Sequence, residues 1–213
     1  MPLEYEYRYQ EGTFEKNDII EKLTKLGAVK HGNWLFRVQV FSNKNLNNNP
    51  YIRVRDDGFQ KTMTFKTKSD KEFVDEQEVI INDFDAGVNI MLGLGCEKKY
   101  YYEKLREIWH LGNAEIVFDT NPGRYDIMEV ETKTKKELTE TVKLLDLENV
   151  PHDDFKDMDL YEKPFGIIIP NLVDMTFTTI KKTLGPLVTK NKNDFNKLVK
   201  EQIKMFKLIK SSF

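Results

Sequence analysis

Pairs of charged or polar residues two positions apart recur along the first two thirds of this chain. Glu4 and Glu6 lead to Arg8. Arg53 and Arg55 follow, then Thr64 and Lys66, Glu76 and Glu78, Lys104 and Arg106, and Glu129 and Glu131, with Asp119 at the end of its own segment. In a β-strand, residues i and i+2 share a face roughly 6.5–7 Å apart, so each pair marks a charged face. The alternate positions are bulky and apolar: Tyr5 and Tyr7, Ile52 and Val54, Met63 and Phe65, Leu105 and Trp109, Met128 and Val130. One such pair describes a half-buried sheet with charges in water. The set differs because its signs are sorted strand by strand, whereas a merely solvated face mixes signs, since adjacent like charges repel. If the sheet closes on itself with helices outside, the charges point inward. Enclosed charges need water or a counter-charged ligand. A polyphosphate carrying a hard divalent cation suits both signs. Arg and Lys bind phosphate oxygens, Arg as a planar fork, and carboxylates hold Mg²⁺ or Mn²⁺.

The elements that must position these residues are mostly short strands. Strands are expected at 3–9, 34–41, 51–55, 61–66, 72–81, 100–111, 114–120 and 125–132. Asp56-Asp57-Gly58, Gly112-Asn113 and Asn121-Pro122-Gly123 supply turns. Helices are expected at 14–27, 85–95 and 133–147 from their apolar spacing. Residues 171–210 read as mostly helical, interrupted at Gly185-Pro186. Leu198, Ile203, Phe206 and Ile209 give the last stretch one apolar stripe, which is expected to pack on the outside of the sheet. The expected fold is therefore α+β and β-dominated: a closed eight-stranded antiparallel β-barrel with helices packed outside and a helical C-terminal extension.

Composition narrows the function. Of 213 residues, 39% are hydrophobic and 32% charged; Lys plus Arg is 33 against 35 Asp plus Glu, a formal charge of −2. That balance argues against binding nucleic acid through bulk positive charge, so no stable DNA binding is expected. A lone cysteine, Cys96, rules out an intrachain disulfide and fits a reducing compartment. No apolar run approaches the roughly 20 residues of a membrane span, and the first residues do not read as a signal peptide. A soluble, cytoplasmic protein is expected.

The segment Glu4-Tyr5-Glu6-Tyr7-Arg8 resembles the Glu-x-Glu-x-Lys opening of the CYTH superfamily, the triphosphate tunnel metalloenzymes. The later order is similar too: Ile52-Arg53-Val54-Arg55, Thr64-Phe65-Lys66, Glu76-x-Glu78, Lys104-x-Arg106, Asp119, Glu129-Val130-Glu131, and a closing segment from Leu160-Tyr161 to Phe165-Gly166. The resemblance spans roughly 3–166, which implies a tunnel domain over 1–166 and an extension over 167–213 packed on it. It also implies a triphosphate substrate in a hydrophilic tunnel, with Glu4, Glu6, Glu129 and Glu131, and further Asp119, Glu76 and Glu78, holding Mg²⁺ or Mn²⁺. Arg8, Arg53, Arg55, Lys66, Lys104 and Arg106 would grip the triphosphate, and Glu4, Glu6, Arg8, Lys66 and Glu131 would carry catalysis. The chain departs from the family pattern in three places. Arg8 stands where Lys is usual, Val74 where a base often precedes Glu-x-Glu, and the turn Pro122–Ile127 reads about two residues longer than usual.

The expected activity is metal-dependent hydrolysis of inorganic triphosphate, a nucleoside triphosphate, thiamine triphosphate or an RNA 5′-triphosphate. Two alternatives stand beside it: an adenylyl cyclase of the CYTH type, releasing pyrophosphate from ATP, and a binding module without turnover. His31, His110 and His152 lack metal-ligand spacing. Gly93-Leu94-Gly95 lacks a dinucleotide-binding context, and Cys96 reads as a small buried residue.

Overall fold

The computed structural model describes residues 5–10, 12–46, 50–68, 74–153, 155–156, 158–169 and 174–211. Eight strands, β1 (Tyr5–Gln10), β2 (Val29–Ser42), β3 (Tyr51–Asp56), β4 (Lys61–Lys68), β5 (Val74–Ile81), β6 (Glu97–Leu111), β7 (Ala114–Thr120) and β8 (Ile127–Thr132), form one sheet in the order β1-β8-β7-β6-β2-β3-β4-β5. All its strand pairs are antiparallel. The two longest strands, β2 and β6, pair at its centre with register shifts at Lys30/Gly32 and Val40/Phe41. Such irregularities bend and twist a sheet.

Helices cover one face. α1 (Lys16–Lys25) and α3 (Lys135–Leu144) bury Ile19, Leu23, Leu138 and Val142 against Tyr9, Trp109, Ile116, Phe118, Met128 and Val130. α2 (Phe84–Gly93) packs Phe84, Val88 and Met91 on Phe41, Ile52 and Val54. Each starts at a polar residue. The Asp83 side chain accepts from the Ala86 amide, and Thr134 accepts from the Glu137 amide while its hydroxyl donates back to the Glu137 carboxylate at 2.8 Å. α6 (Lys192–Lys210) lays Phe206 over Leu105 and Phe177 on the same outer face. Among the described residues, no helix is long and apolar enough to cross a membrane.

Two expectations are corrected. Among the described residues, the sheet is not closed by hydrogen bonds: its terminal strands are β1 and β5. One reason lies in the edge of β1. The Asp153 amide donates to the Arg8 carbonyl at 2.9 Å, and the Arg8 amide donates to Asp153 Oδ1 at 3.0 Å, so groups that β1 could offer to another strand are already taken. Second, residues 174–179 are not helical. β6 extends past the end of β7, and its edge groups there take Met175 as partner. The Met175 amide donates to the Tyr101 carbonyl at 2.8 Å, and the Glu103 amide donates to the Met175 carbonyl at 2.9 Å. Between there and α6, the only helical turns among the described residues are α5 (Ile180–Thr183) and a 3-10 turn at Gly185–Leu187. The closing segment forms a short helix, α4 (Asp159–Phe165), ended by Gly166 at φ +61°.

Candidate functional site

Strand register places the charged pairs on the face opposite the helices. Glu6 and Arg8 of β1 lie across from Glu131 and Glu129 of β8. Glu129 lies across from Val117 of β7, two positions from Asp119, and Asp119 is across from Arg106 of β6. On the other side of β2, Arg53 and Arg55 of β3 face Thr64 and Thr62 of β4, Lys66 faces Glu76, and Thr64 faces Glu78 of β5. The signs thus alternate between groups of neighbouring strands. Glu4 lies outside the described residues.

The contacts fall into two groups. In the first, Asp119, 4% exposed, receives Lys104 Nζ at 2.6 Å, Arg106 Nε at 2.7 Å and Arg106 Nη2 at 2.6 Å. Arg106 Nη2 also reaches Glu129 Oε2 at 3.0 Å, and Arg8 Nε lies 3.4 Å from Glu129 and 3.7 Å from Glu6. Burial alone would raise the Asp119 carboxyl; the Lys104 ammonium and the forked Arg106 bond outweigh it and hold it well below the usual carboxylate range. Burial lowers the Lys104 ammonium, against the pull of Asp119. Burial, and after it the charge of Glu129, raise the Glu6 carboxyl. In the second group, Arg53 and Arg55 lie 3.6 and 3.5 Å from Glu78, which accepts the Thr64 hydroxyl at 2.6 Å, and Lys66 pairs with Glu76 at 2.8 Å. Burial acts to raise Glu78, but the Thr64 hydroxyl and the two guanidinium groups bring it down. Between the groups, β2 contributes the Phe36 ring, which carries Lys104 at 4.9 Å and Arg106 at 5.1 Å from its centroid.

A cavity of about 420 Å³ opens on this face beside the first group, lined by Arg8, Lys104, Asp119, Arg124, Glu129 and Tyr161 among others. Tyr100 and Tyr102 stack at 6.2 Å along its wall. A hollow of about 470 Å³ lies on the opposite, helix-covered face. It holds none of the strand-sorted charged pairs, whereas the smaller cavity is bordered by Arg8, Lys104, Asp119 and Glu129 from four strands and is the better seat for chemistry.

The sequence pattern missed two charged residues here. Glu115 of β7 lies across from Glu131 and 3.0 Å from His110 Nε2. Counting four residues back from Asp119 along the strand would have found it. Arg124 sits in the β7–β8 turn, where no periodicity operates. His110 does share this face, as its parity with Arg106 implies.

Among the described residues, no three His, Cys, Asp or Glu side chains are already grouped to hold a metal ion. The donor chemistry nevertheless fits a hard divalent cation. Glu6, Glu129 and Glu131 come from two paired strands, and the mutual repulsion of Glu6 and Glu129 is what such a cation relieves. In this arrangement Asp119 takes short bonds from both Lys104 and Arg106.

The sequence matches the family model described as the CYTH domain over residues 3–150. No curated protein matches the chain. Among solved structures, the PH1012 protein of Pyrococcus horikoshii is 21% identical with a TM-score of 0.55, over 74% of this chain and 99% of that one. A conserved hypothetical protein of Pyrococcus furiosus gives 19% and 0.55 over 74% and 99%. A proposed adenylate cyclase of Vibrio parahaemolyticus gives 13% and 0.56 over 75% and 97%. These likenesses concern the fold.

Proposed function

This chain belongs to the CYTH family, and we propose that its charged face hydrolyses a triphosphate with the help of a divalent cation. The observation that carries the proposal is the presence of Arg8, Arg53, Arg55, Lys66, Lys104 and Arg106 on one face of a single sheet, each within reach of a carboxylate. Forked and point cations on several strands match the spread of oxygens along a triphosphate. Phosphoryl transfer needs little covalent chemistry from a protein, so positioning and charge neutralisation suffice. Arg8, Lys104 and Arg106 would hold one part of the substrate, and Arg53, Arg55 and Lys66 another. Glu6, Glu129 and Glu131 would hold Mg²⁺ or Mn²⁺. When bound, the cation would neutralise phosphate charge and acidify a water molecule.

The test is a panel of inorganic triphosphate, ATP, thiamine triphosphate and a 5′-triphosphorylated RNA, each with Mg²⁺ or Mn²⁺, with all products identified. Release of orthophosphate supports hydrolysis. Cyclic AMP with pyrophosphate would make the chain a cyclase. Stabilisation by triphosphate without turnover would make it a binding module. Glu6→Ala is expected to abolish turnover with an unchanged circular dichroism spectrum. Arg55→Ala and Lys66→Ala are each expected to raise KM by about 10- to 100-fold, the equivalent of one charge-assisted contact. Unchanged kinetics in all three variants would remove these residues from the site.

A further inference from the structure

We propose that Arg124 is an additional phosphate-gripping cation, and that Gln202 of the C-terminal helix is the residue that positions it. The inference rests on the triphosphate reading above and adds two residues that neither the charge pattern nor the family resemblance supplies. Arg124 is 6% exposed and lines the 420 Å³ cavity together with Arg8 and Lys104. Its guanidinium carbon lies 5.7 Å from the centroid of the Tyr161 ring, which forms part of the same wall. A third cation beside Arg8 and Lys104 raises the positive charge where phosphate oxygens would sit.

Arg124 belongs to a turn, and a turn does not aim a side chain unless it is held. Gln202 holds this one. Its Oε1 accepts from the Gly123 amide at 2.8 Å, and its Nε2 donates to the carbonyls of Arg124 at 2.9 Å and Asn121 at 3.1 Å. These bonds use the acceptor and both donors of the side-chain amide on one turn. Gln202 is 2% exposed, on the same buried side of α6 as Val199 and Phe206. A polar amide there is tolerated because its bonds are made. Tyr161 adds a hydroxyl donated to the Pro122 carbonyl at 3.1 Å. The turn that carries Arg124 is therefore gripped from α4 and α6, and the C-terminal segment acts on the cavity through it.

The experiment uses the full chain with inorganic triphosphate and saturating Mg²⁺ or Mn²⁺, below the melting temperature of every variant. Arg124→Ala is expected to raise KM about tenfold or more, and Arg124→Lys to restore much of the loss. Gln202→Met, close in shape but without the bonds, is expected to raise KM as well. The double variant should be no worse than Arg124→Ala alone, because both changes remove one grip. If Gln202→Met does not fold, Tyr161→Phe tests the hold on the same turn. A wild-type KM in Arg124→Ala overturns the assignment while leaving the triphosphate reading intact. Additive KM effects in the double variant overturn the positioning role. A wild-type chain that is neither active on nor stabilised by any triphosphate overturns the functional reading and this assignment with it.

Discussion

The Asp119 carboxyl group takes three short bonds from Lys104 and Arg106. Removing one partner of a buried ion pair leaves the other charges uncompensated, at roughly 3–5 kcal/mol. Asp119→Ala is therefore expected to lower the melting temperature strongly, and inorganic triphosphate should stabilise this variant more than it stabilises wild type. An equal shift would place the anion elsewhere. On the outer face, Glu107 accepts Lys30 at 2.7 Å and Trp109 Nε1 at 2.9 Å, with Lys16 at 3.4 Å. Burial alone would raise its carboxyl, but these partners, Lys30 first, bring it below the usual 4.5. A depressed folded pKa contributes stability that is complete above the unfolded value and is lost as pH falls through the folded one. Glu107→Gln should thus melt lower than wild type at pH 7, with the gap closing toward pH 3. The pairing of charges was legible in the sequence because a two-residue period is a local property of strands. Arg124 was not, since its place depends on Gln202, 78 residues away.

At the level of elements, the hairpins and α1, α2 and α3 were readable from turn residues and apolar spacing, which act over a few positions. α4 escaped because it has seven residues and contains Pro164. Residues 174–179 were misread as helical because their conformation answers to β6, about 70 positions earlier, and not to their own neighbours. β2 begins at Val29, not at Trp34, because β6 gives it a long partner. Gly123 ties this C-terminal region to the sheet. It has φ +76°, and a Cβ placed there would stand 3.0 Å from both Ile180 and Leu184. Gly123→Ala combines backbone strain with crowding, so a loss of about 1–3 kcal/mol is expected in a denaturant titration. A neutral result would mean that α5 is free to move aside.

For the molecule as a whole, the cross-strand bonds decide how the charged face would receive an anion. Lys104 and Arg106 are satisfied by Asp119, Lys66 by Glu76, and Arg53 and Arg55 by Glu78. The charged face is an inner salt. An incoming anion must trade places with carboxylates, and a carboxylate so released is most comfortable beside a cation. The two ions should therefore load together, each tightening the other by one common factor, as thermodynamic linkage requires. Calorimetric titration of inorganic triphosphate with and without Mg²⁺, paired with titration of Mg²⁺ with and without a non-hydrolysable triphosphate, would measure that factor from both sides. A factor of one would mean that the ions do not share this lattice. A factor well above one would make the fold an ion exchanger that takes up its two guests as a pair.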